Sequence, residues 1–512
     1  MGWEIRNRIS LCAALGAIAA AAGGARADGG LAPLSSVPVP APVGGDIVDN
    51  AAAVRLGKAL FWDAQAGSDG QMACASCHFH AGTDTRRLNT LHPGPNGLFE
   101  TGGVTSAGQT LPAVNVVSDD RVGSGGVLST TFRAIADDPA NPVDVCDTNI
   151  DPLFGAHRLV TGRQAPPVVG AVFNRDNFWD GRGNHRFNRQ NPFGAAGGPG
   201  PYVENDSLAS QSVGPILSSV EMSCAGRTFN GPGSVGAKLM ARPPLQFQVV
   251  APTDSVLGAI SAYPQPGLRV SYAQLVSDAF GAPAAAGAVD GFSSLWGQAI
   301  AAYEATLIPD HTPLDRYLAG DRSALTGNQQ RGLNVFTGKA SCTKCHAGPE
   351  LTDASVGFAS RNGLINSDGG DQGFHNLGVR PTVEDPGRAG VGPTGSFSVS
   401  AAAADHGAFK TPGLRNVGLT APYFHNGGKA TLADVVDFYD RGGDFANPER
   451  SKELKRLGLS TSDKSALVDF LQNGLTDCRV AAQAAPFDHP SLAVPDGPGL
   501  DAIGAPGTGP CP

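Results

Sequence analysis

The stretch "SCTKCHAGPE" at residues 341–350 contains two cysteines separated by two residues and followed directly by a histidine. This spacing predicts covalent attachment of a c-type haem, with the thiols of Cys342 and Cys345 bonded to the porphyrin and His346 bound to the iron. An electron-transfer haem of this type commonly has methionine or histidine as its sixth ligand. The chain has four methionines, at positions 1, 72, 222 and 240, and none follows this motif. The identity of the sixth ligand is therefore open.

A second copy of the motif lies nearer the N-terminus, at Cys74, Cys77 and His78. Each copy follows a short amphipathic segment that ends in phenylalanine, Phe61 before the first motif and Phe336 before the second. A helix that leads into such a motif is how a cytochrome c domain packs one edge of its haem. A zinc site or a redox-active CXXC pair is the alternative for each motif. Two copies, each after a similar helix, favour two covalently bound haem c groups.

The N-terminus has the pattern of an export signal. Arg6 and Arg8 precede an apolar run at residues 9–24, and Ala25-Arg26-Ala27 forms a cleavage site. A retained membrane anchor is the alternative. We expect residues 1–27 to be removed, which leaves a soluble periplasmic protein with no membrane insertion.

The composition limits the classes of partner. The formal net charge of the 512-residue chain is -9, which argues against nucleic acid as a partner because phosphate binding needs basic patches. A chain of this length can form two or more domains with separate cores. We expect a mainly α fold, because several segments have apolar residues at helical spacing and no block is rich in strands.

Four cysteines remain after the two motifs and Cys12 of the signal segment are set aside. They are Cys146, Cys224, Cys478 and Cys511. An even remainder in an oxidising compartment suggests two disulfides. Of the three connectivities, proximity in sequence favours Cys146 with Cys224 and Cys478 with Cys511.

The segments between and after the motifs contain five predicted helices. These cover residues 254–264, 271–281, 291–308, 431–440 and 462–475, with Thr431 and Ser462 as N-caps of the last two. The domains are expected at 28–310 for the first motif, with loop-rich insertions, and at 311–480 for the second motif. A Pro/Gly-rich tail at 481–512 is expected to wrap the surface.

Three further motifs have a specific order around the haem sites. "FWDGR" (178–182) follows the first site, "TLIPDHTPLDRYLAGD" (306–321) precedes the second, and "FKTPGLRNVGLTAPYFHNGG" (409–428) follows it. Together they resemble the bacterial dihaem cytochrome c peroxidase superfamily, which includes MauG, over roughly residues 54 to 475. The resemblance implies two cytochrome c-like haem domains that face each other, with a peroxide-reacting N-terminal haem and an electron-transfer C-terminal haem.

The resemblance also assigns roles to individual residues. His78 and His346 become the proximal ligands of the two haems, and Trp179 lies between the haems. "QSVGPILSSVEM" (211–222) resembles the distal segment of the family, which makes Gln211 and Glu221 the residues that handle peroxide. Because cleavage of the O–O bond moves a proton from one oxygen to the other, a carboxylate beside the open iron face suits the chemistry.

The family places a calcium ion between the haems, and Thr420 and Pro422 match two of its ligands. Gln164 stands where the family usually has asparagine, although its carbonyl oxygen is also a suitable calcium ligand. His425 matches a family histidine near the space between the haems. A structural histidine is the alternative for this residue.

The resemblance proposes an answer for the missing methionine. In the family's ordinary peroxidases the methionine ends a helix after "PYFHDG"; here the corresponding "TLADVVDFYDRGG" has Tyr439 in that place, as MauG has tyrosine. An anionic phenolate oxygen favours ferric iron over ferrous iron, whereas thioether sulfur favours the ferrous state. His375, His406 or water are the alternative ligands.

The first haem has either an open sixth position, as MauG-like members have, or a removable histidine, for which His80 and His92 are candidates. Tyr439 favours a MauG-like enzyme that uses hydrogen peroxide to oxidise a protein or organic substrate. The alternatives are a peroxidase that draws electrons from a small cytochrome or cupredoxin, and a non-catalytic electron carrier. The insertions at 100–170 and 183–210 are expected to form a lid or a partner surface. The oligomeric state stays open.

Overall fold

The structure is a computed structural model that describes residues 30–367, 369–390 and 399–511. The predicted signal segment lies outside the described residues. The described chain is mostly helical, and its strands form five two-stranded antiparallel sheets. No helix within the described ranges is long and apolar enough to cross a membrane.

The helices and strands are short and are separated by long loops. The helices are Asn50–Trp62 (α1), Ala75–His78 (α2), Ser207–Ser212 (α3), Val235–Met240 (α4), Tyr272–Phe280 (α5), Ala282–Ala286 (α6), Phe292–Glu304 (α7), Pro313–Leu318 (α8), Gly327–Thr337 (α9), Val356–Asn362 (α10), Leu432–Arg441 (α11), Thr461–Asp469 (α12) and Cys478–Ala481 (α13). The strands pair in chain order and are Leu91–His92 (β1), Arg121–Val122 (β2), Thr130–Ala134 (β3), Val145–Thr148 (β4), Arg186–Phe187 (β5), Val203–Glu204 (β6), Phe374–His375 (β7), Phe409–Lys410 (β8), Leu492–Ala493 (β9) and Gly499–Leu500 (β10).

Three of the predicted helices are confirmed as α5, α7 and α11, and Thr431 caps α11 as expected. The helix predicted at 254–264 is wrong, because only Gly258–Ile260 forms a single 3₁₀ turn. Asp254 explains the difference: its carboxylate accepts the N–H groups of residues 256 and 257 and also binds Lys58. These contacts hold the segment as a loop.

The last predicted helix exists but begins earlier. Ser460, and not Ser462, is the N-cap of α12, since its hydroxyl accepts the N–H of Asp463 while the Asp463 carboxylate accepts the N–H of Ser460. Asp463 three residues after Ser460 completes this capping box. The helix continues into a π-helical turn at Phe470–Gly474.

Two large hydrophobic clusters form the core. The first draws on residues from Leu34 to Leu307 and includes α1, α5 and α7, and the second draws mainly on residues from Leu314 to Leu475 and includes α9, α11 and α12. The division into haem domains near residue 310 stays a prediction, with these clusters as its support.

The helix before each motif packs through a glycine onto a second helix. A methyl group added at Gly57 of α1 would lie 1.9 Å from the carbonyl oxygen of Ala299 in α7. A methyl group at Gly332 of α9 would lie 2.1 Å from the carbonyl oxygen of Ala466 in α12. Only glycine permits such close backbone approach.

The same two helix pairs share an aromatic contact. The ring of Phe61, four residues after the first glycine, lies 5.5 Å from the ring of Tyr303, and the ring of Phe336 lies 5.6 Å from that of Phe470. The sequence similarity before the two motifs therefore corresponds to one helix-pair arrangement that occurs twice.

Both expected disulfides are present. Cys146 in β4 is bonded to Cys224, which ties the first insertion to the segment that follows Glu221, and Cys478 is bonded to Cys511. The expectation that the tail wraps the surface is only partly right. Tail residues Asp488 and His489 are 0% and 2% exposed, because they pack into the first core beside α1.

Candidate haem sites and the residues between them

The first motif lies at the start of the short helix α2. Neither Cys74 nor Cys77 forms a disulfide. Burial raises the pKa of both thiols, and the negative charge of Glu221 makes a smaller contribution to that rise. The role of Glu221 as the distal residue stays a prediction.

His78 is oriented by a backbone contact. Its Nδ1 lies 2.8 Å from the carbonyl oxygen of Gly82. Because a carbonyl only accepts hydrogen bonds, we assign the proton to Nδ1, which leaves the Nε2 lone pair for a metal. Gly82 has a φ of +81°, and a side chain there would come within 2.9 Å of Val169. The glycine thus permits the tight turn that orients the histidine.

Glu221 is held by the turn that precedes it. Its backbone N–H donates to the carbonyl oxygen of Ser218 at 3.2 Å. Burial raises the pKa of the Glu221 carboxyl, whereas a hydrogen bond from Ser218 and the charge of Arg182 lower it. A carboxyl with a raised pKa beside a reactive site can both accept and return a proton.

Gln211 lies in the last turn of α3, where its carbonyl oxygen accepts the N–H of Gly214 at 3.1 Å. A side chain at Gly214 would touch the ring of Phe178 at 3.4 Å, and the Arg182 guanidinium lies 4.0 Å from the centre of that ring. The structure therefore brings the "FWDGR" segment against the beginning of the predicted distal segment.

The second motif borders a largely apolar cavity. Cys342, Cys345 and His346 line it together with Tyr439 of α11. The Nδ1 of His346 lies 3.1 Å from the carbonyl oxygen of Pro412 and 3.2 Å from that of Leu351, which again leaves Nε2 for a metal. The two cysteines form no disulfide.

Tyr439 lines the same cavity as His346. Burial raises the pKa of its phenol, and the charges of Cys345 and Cys342 add to the rise. Nothing among the described residues forms a hydrogen bond with this hydroxyl. The rings of Phe424 and Phe438 lie 6.2 and 5.3 Å from the Tyr439 ring and hold it in place.

The two histidines considered as alternatives are placed differently. His375 lines the cavity, but its Nε2 is 2.8 Å from the Asp353 carboxylate, in a group that also includes Cys345. His406 is exposed on the surface and is not among the residues that line this cavity. Of Tyr439, His375 and His406, Tyr439 is the one that lines this cavity with no hydrogen-bond partner among the described residues.

Trp179 is buried at the edge of the same cavity. Its indole N–H donates to the carbonyl oxygen of Gln164 at 2.8 Å, and its own carbonyl oxygen accepts the N–H of Lys410 at 2.8 Å. Arg182, three residues further on, is close enough to Glu221 for its charge to lower the pKa of that carboxyl. The "FWDGR" segment thus has Trp179 at the second cavity and Arg182 where its charge acts on Glu221.

His425 packs beside Trp179, with ring centres 6.4 Å apart, and stacks on Phe409 at 3.4 Å. Its Nε2 lies 2.8 Å from the Asp385 carboxylate. Burial lowers the pKa of His425, although Asp385 opposes that shift. These contacts agree with either the family role or a structural role.

The residues considered for calcium are neighbours in part. The N–H of Gln164 donates to the carbonyl oxygen of His425 at 2.9 Å, in the loop that also contains Thr420 and Pro422. The Gln164 amide nitrogen donates to the carbonyl oxygen of Asp84, and the Thr420 hydroxyl donates to that of Val417. The calcium site stays a prediction.

The two candidate ligands for the first iron have different surroundings. His80 is exposed and borders the cavity behind His78. His92 is in β1, where its Nδ1 accepts the N–H of Gly94 at 3.1 Å and its ring packs near Phe154. Neither position decides between an open iron and a histidine ligand.

The donor set at each motif fits a covalently attached haem. Each site has two thiols without a disulfide partner and a histidine whose Nδ1 is bonded to a carbonyl. The second site also has an apolar cavity bordered by all three of these residues. When bound, each group would supply an iron centre for redox chemistry, and the protein orients the proximal histidines and supplies Glu221 or Tyr439 nearby.

Sequence reasoning missed one buried acid at the first site. Glu304 is 1% exposed, and its Oε2 has no hydrogen-bond partner among the described residues. Burial raises its pKa to about 8, and its charge would raise the pKa of Cys74. The sequence does contain a signal for this residue, because Glu304 is the single charged residue in the helix at 292–304.

The sequence of the chain is similar to those of several known proteins. Residues 51–323 match the family model described as di-haem cytochrome c peroxidase. Cytochrome-c peroxidase IdrP1 of Denitromonas iodatirespirans is 26% identical over 490 residues, which cover 91% of this chain and 92% of the relative. Methylamine utilization protein MauG of Methylorubrum extorquens is 28% identical over 310 residues, or 60% of this chain and 64% of the relative.

Among solved structures, a MauG-like protein associated with microbial copper homeostasis has a TM-score of 0.51 at 20% identity, covering 90% of this chain and 97% of that one. This likeness concerns the fold. The family match spans more than half of the chain and includes the first haem motif, "FWDGR" and Glu221. The chain therefore belongs to the di-haem cytochrome c peroxidase family, a family of peroxidase enzymes with two haem groups.

Proposed function

We propose that this peroxidase reacts with hydrogen peroxide at the haem held by Cys74, Cys77 and His78. In this proposal it shares the oxidising equivalents with a second haem bound by His346 and Tyr439, and uses them to oxidise a protein or organic substrate, as MauG-like enzymes do. The observation that carries the proposal is the Tyr439 hydroxyl, which borders the second haem cavity beside Cys342 and Cys345 and has no hydrogen-bond partner among the described residues.

The proposed ligand determines the proposed role. A phenol that binds iron loses its proton, and an anionic oxygen stabilises the more oxidised states of the metal. A haem with such a ligand is a poor acceptor for electrons from a weak one-electron donor and a better store of oxidising equivalents. A methionine in the same place would favour electron entry.

Proton transfer at the first site is assigned to Glu221. Its negative charge contributes to the raised pKa of both thiols of the first motif, and burial raises its own pKa. It would take a proton from one peroxide oxygen and return it to the other, while the amide of Gln211 would hold the substrate. Trp179, whose segment extends between the two sites, would carry electrons between them.

A peroxidase that removes peroxide with electrons from a small cytochrome or cupredoxin is the second candidate. It is favoured by the relative named cytochrome-c peroxidase, which aligns over 91% of this chain. A non-catalytic carrier is less well supported, because a carrier has no use for the buried carboxyl of Glu221 beside the attachment site. Periplasmic location and a calcium ion held by Gln164, Thr420 and Pro422 are further parts of the proposal.

The test uses the protein with both haems attached. Tyr439→Phe is expected to change the absorption and electron paramagnetic resonance spectra of the low-spin ferric haem, since it removes the oxygen donor. Tyr423→Phe is the matched control, because Tyr423 lines the same cavity but donates its hydroxyl to the carbonyl oxygen of Val417 at 3.1 Å. An unchanged low-spin spectrum in Tyr439→Phe would show that the ligand is another group.

Activity separates the two candidates. Rapid turnover with a reduced small cytochrome, without prior reduction of the enzyme, would favour peroxide removal. Slow turnover with such donors, together with a long-lived oxidised state, would favour oxidation of a protein or organic substrate.

A further inference from the structure

A group of aromatic side chains, among them the redox-active Trp62 and Tyr303, lines the same cavity as His78. The ring of Phe61 lies 6.3 Å from that of His78 and 5.5 Å from that of Tyr303. The indole N–H of Trp62 donates to the hydroxyl of Tyr303 at 3.1 Å. These side chains border one cavity, which the exposed His80 also borders.

The indole of Trp62 is held on its other side by the tail. The ring of His489 stacks on it with centres 4.7 Å apart and planes within 11°. Burial lowers the pKa of His489, which keeps this imidazole neutral near pH 7. Trp62 is therefore fixed between a hydroxyl and a neutral ring, and it is 5% exposed.

A buried cluster with an excess negative charge adjoins this pair. The Lys58 ammonium lies 2.8 Å from the Asp254 carboxylate and 3.5 Å from that of Asp488, and all three side chains are fully buried. One cation facing two carboxylates leaves a formal charge of minus one. The second oxygen of Asp254 has no hydrogen-bond partner among the described residues.

The cluster is close enough to act on the aromatic pair. Burial raises the pKa of the Tyr303 phenol, and the charges of Asp254 and Asp488 add to the rise. At His489, which stacks on Trp62, the charge of Lys58 lowers the pKa and the charges of the two carboxylates raise it. An uncompensated negative charge in a buried setting stabilises a positive charge that forms nearby. The excess negative charge would destabilise a core that always stays neutral. It would stabilise a core in which an aromatic side chain transiently becomes a cation.

We propose that Trp62 is a one-electron donor on the proximal side of the first haem, through which oxidising equivalents leave that haem when no substrate is present. After peroxide has removed two electrons at the first site, one electron passes from Trp62 towards the haem by way of Phe61 and His78. Trp62 becomes a cation, keeps its N–H proton in the hydrogen bond to Tyr303, and is stabilised by the excess carboxylate. The proposal rests on the reaction with peroxide and is independent of Tyr439.

The route differs from the one assigned to Trp179. Trp179 borders the cavity of the second haem, whereas Trp62 lies behind the proximal histidine of the first. The route through Trp179 would share oxidising equivalents between the two haems. The route through Trp62 would remove them from the first haem into the protein.

The test mixes the holoenzyme with hydrogen peroxide without substrate, freezes samples over time, and records electron paramagnetic resonance spectra. Peptide mass spectrometry then locates oxygen-containing products of tryptophan. We expect a tryptophan radical and oxidation at position 62 in the wild type, and loss of both in Trp62→Phe. Trp296→Phe is the control: Trp296 is also buried and donates its N–H to a carbonyl, but it packs against Phe229 and Phe292.

Asp488→Asn tests the charge without changing the indole. We expect the radical yield to fall by about tenfold, the size expected when one unit charge is removed from the surroundings of a buried cation. A radical that persists unchanged in Trp62→Phe, or a wild-type enzyme that reacts with peroxide and forms no tryptophan radical, would overturn this inference alone. A wild-type enzyme that does not react with peroxide would overturn this inference and the proposed function together.

Discussion

Gly332→Ala tests the helix contact that supports the second haem motif. In an isolated helix this substitution is favourable by about 1 kcal/mol, because alanine has the higher helix propensity. In the folded protein the new methyl carbon would lie 2.1 Å from the carbonyl oxygen of Ala466 and 2.6 Å from the Cβ of Phe470. Both distances are far below van der Waals contact, so α9 and α12 would have to separate.

Overpacking of a core typically costs about 1–3 kcal/mol and occasionally more. These two overlaps place the cost of the variant at the upper end of that range. The gain in helix propensity offsets part of this cost. We therefore expect the free energy of unfolding to fall by about 2 kcal/mol, which lowers Tm by roughly 4–8 °C for a unit of this size. The assay is thermal unfolding of the holoprotein, followed by circular dichroism and by the absorbance of the haems.

Gly327→Ala is the matched control, because Gly327 begins the same helix and a methyl group there would meet no atom within 4 Å. It should leave Tm unchanged or raise it slightly. If the two variants have the same Tm, the close approach of α9 and α12 is wrong.

Three further outcomes can be measured on the holoprotein. Glu221→Gln should slow the reaction with peroxide by about 10²–10⁴-fold in stopped-flow absorbance while both haems stay attached, whereas Glu204→Gln, at a half-buried position in β6, should not; equal rates would remove Glu221 from proton transfer. In the wild type, the free energy of unfolding should fall by about 1.4 kcal/mol per pH unit between roughly pH 5 and 8, because the Glu304 carboxyl ionises there in the unfolded chain but, with a pKa of about 8, not in the folded one. Glu304→Gln should abolish this pH dependence. Urea titrations at several pH values that give parallel stability curves for the wild type and the variant would contradict this. Cys511→Ser removes the disulfide to Cys478, which lies 33 residues earlier in the sequence. The free energy of unfolding, measured by urea titration, should fall by roughly 2–4 kcal/mol. An unchanged midpoint would show that the tail is held without its disulfide.

Local sequence patterns predicted much of this molecule. The spacing of Cys342, Cys345 and His346 predicted a haem site, and the structure arranges these residues around one cavity. The sequence similarity before the two motifs corresponds to a repeated helix pair, because the glycine and phenylalanine that it contains make the same contacts in both places. In each case the relevant residues are neighbours in the chain or on one helix face.

Contacts between distant segments were not predictable in the same way. Asp488 and His489 belong to a tail whose composition indicates a surface loop, yet they complete a buried cluster with Lys58 and Asp254. No local pattern marks such a cluster, because each member has its partner in another segment. The predicted helix at 254–264 failed for a related reason: the Asp254 carboxylate accepts the N–H groups of residues 256 and 257, as a helix cap does, but it is also bound to Lys58 of a distant segment.

The repeated helix pair allows the two sites to be compared on one frame. Each half has a glycine contact, an aromatic pair, a CXXCH motif and a histidine bonded through Nδ1 to a carbonyl. The halves differ in the polar side chain that is electrostatically coupled to the thiols, which is the Glu221 carboxyl in the first and the Tyr439 phenol in the second. A carboxyl with a raised pKa exchanges protons with a substrate, whereas a phenolate bound to iron would occupy the coordination position. Under the proposed function, one repeated frame thus supports a site that reacts with peroxide and a site that is closed to it.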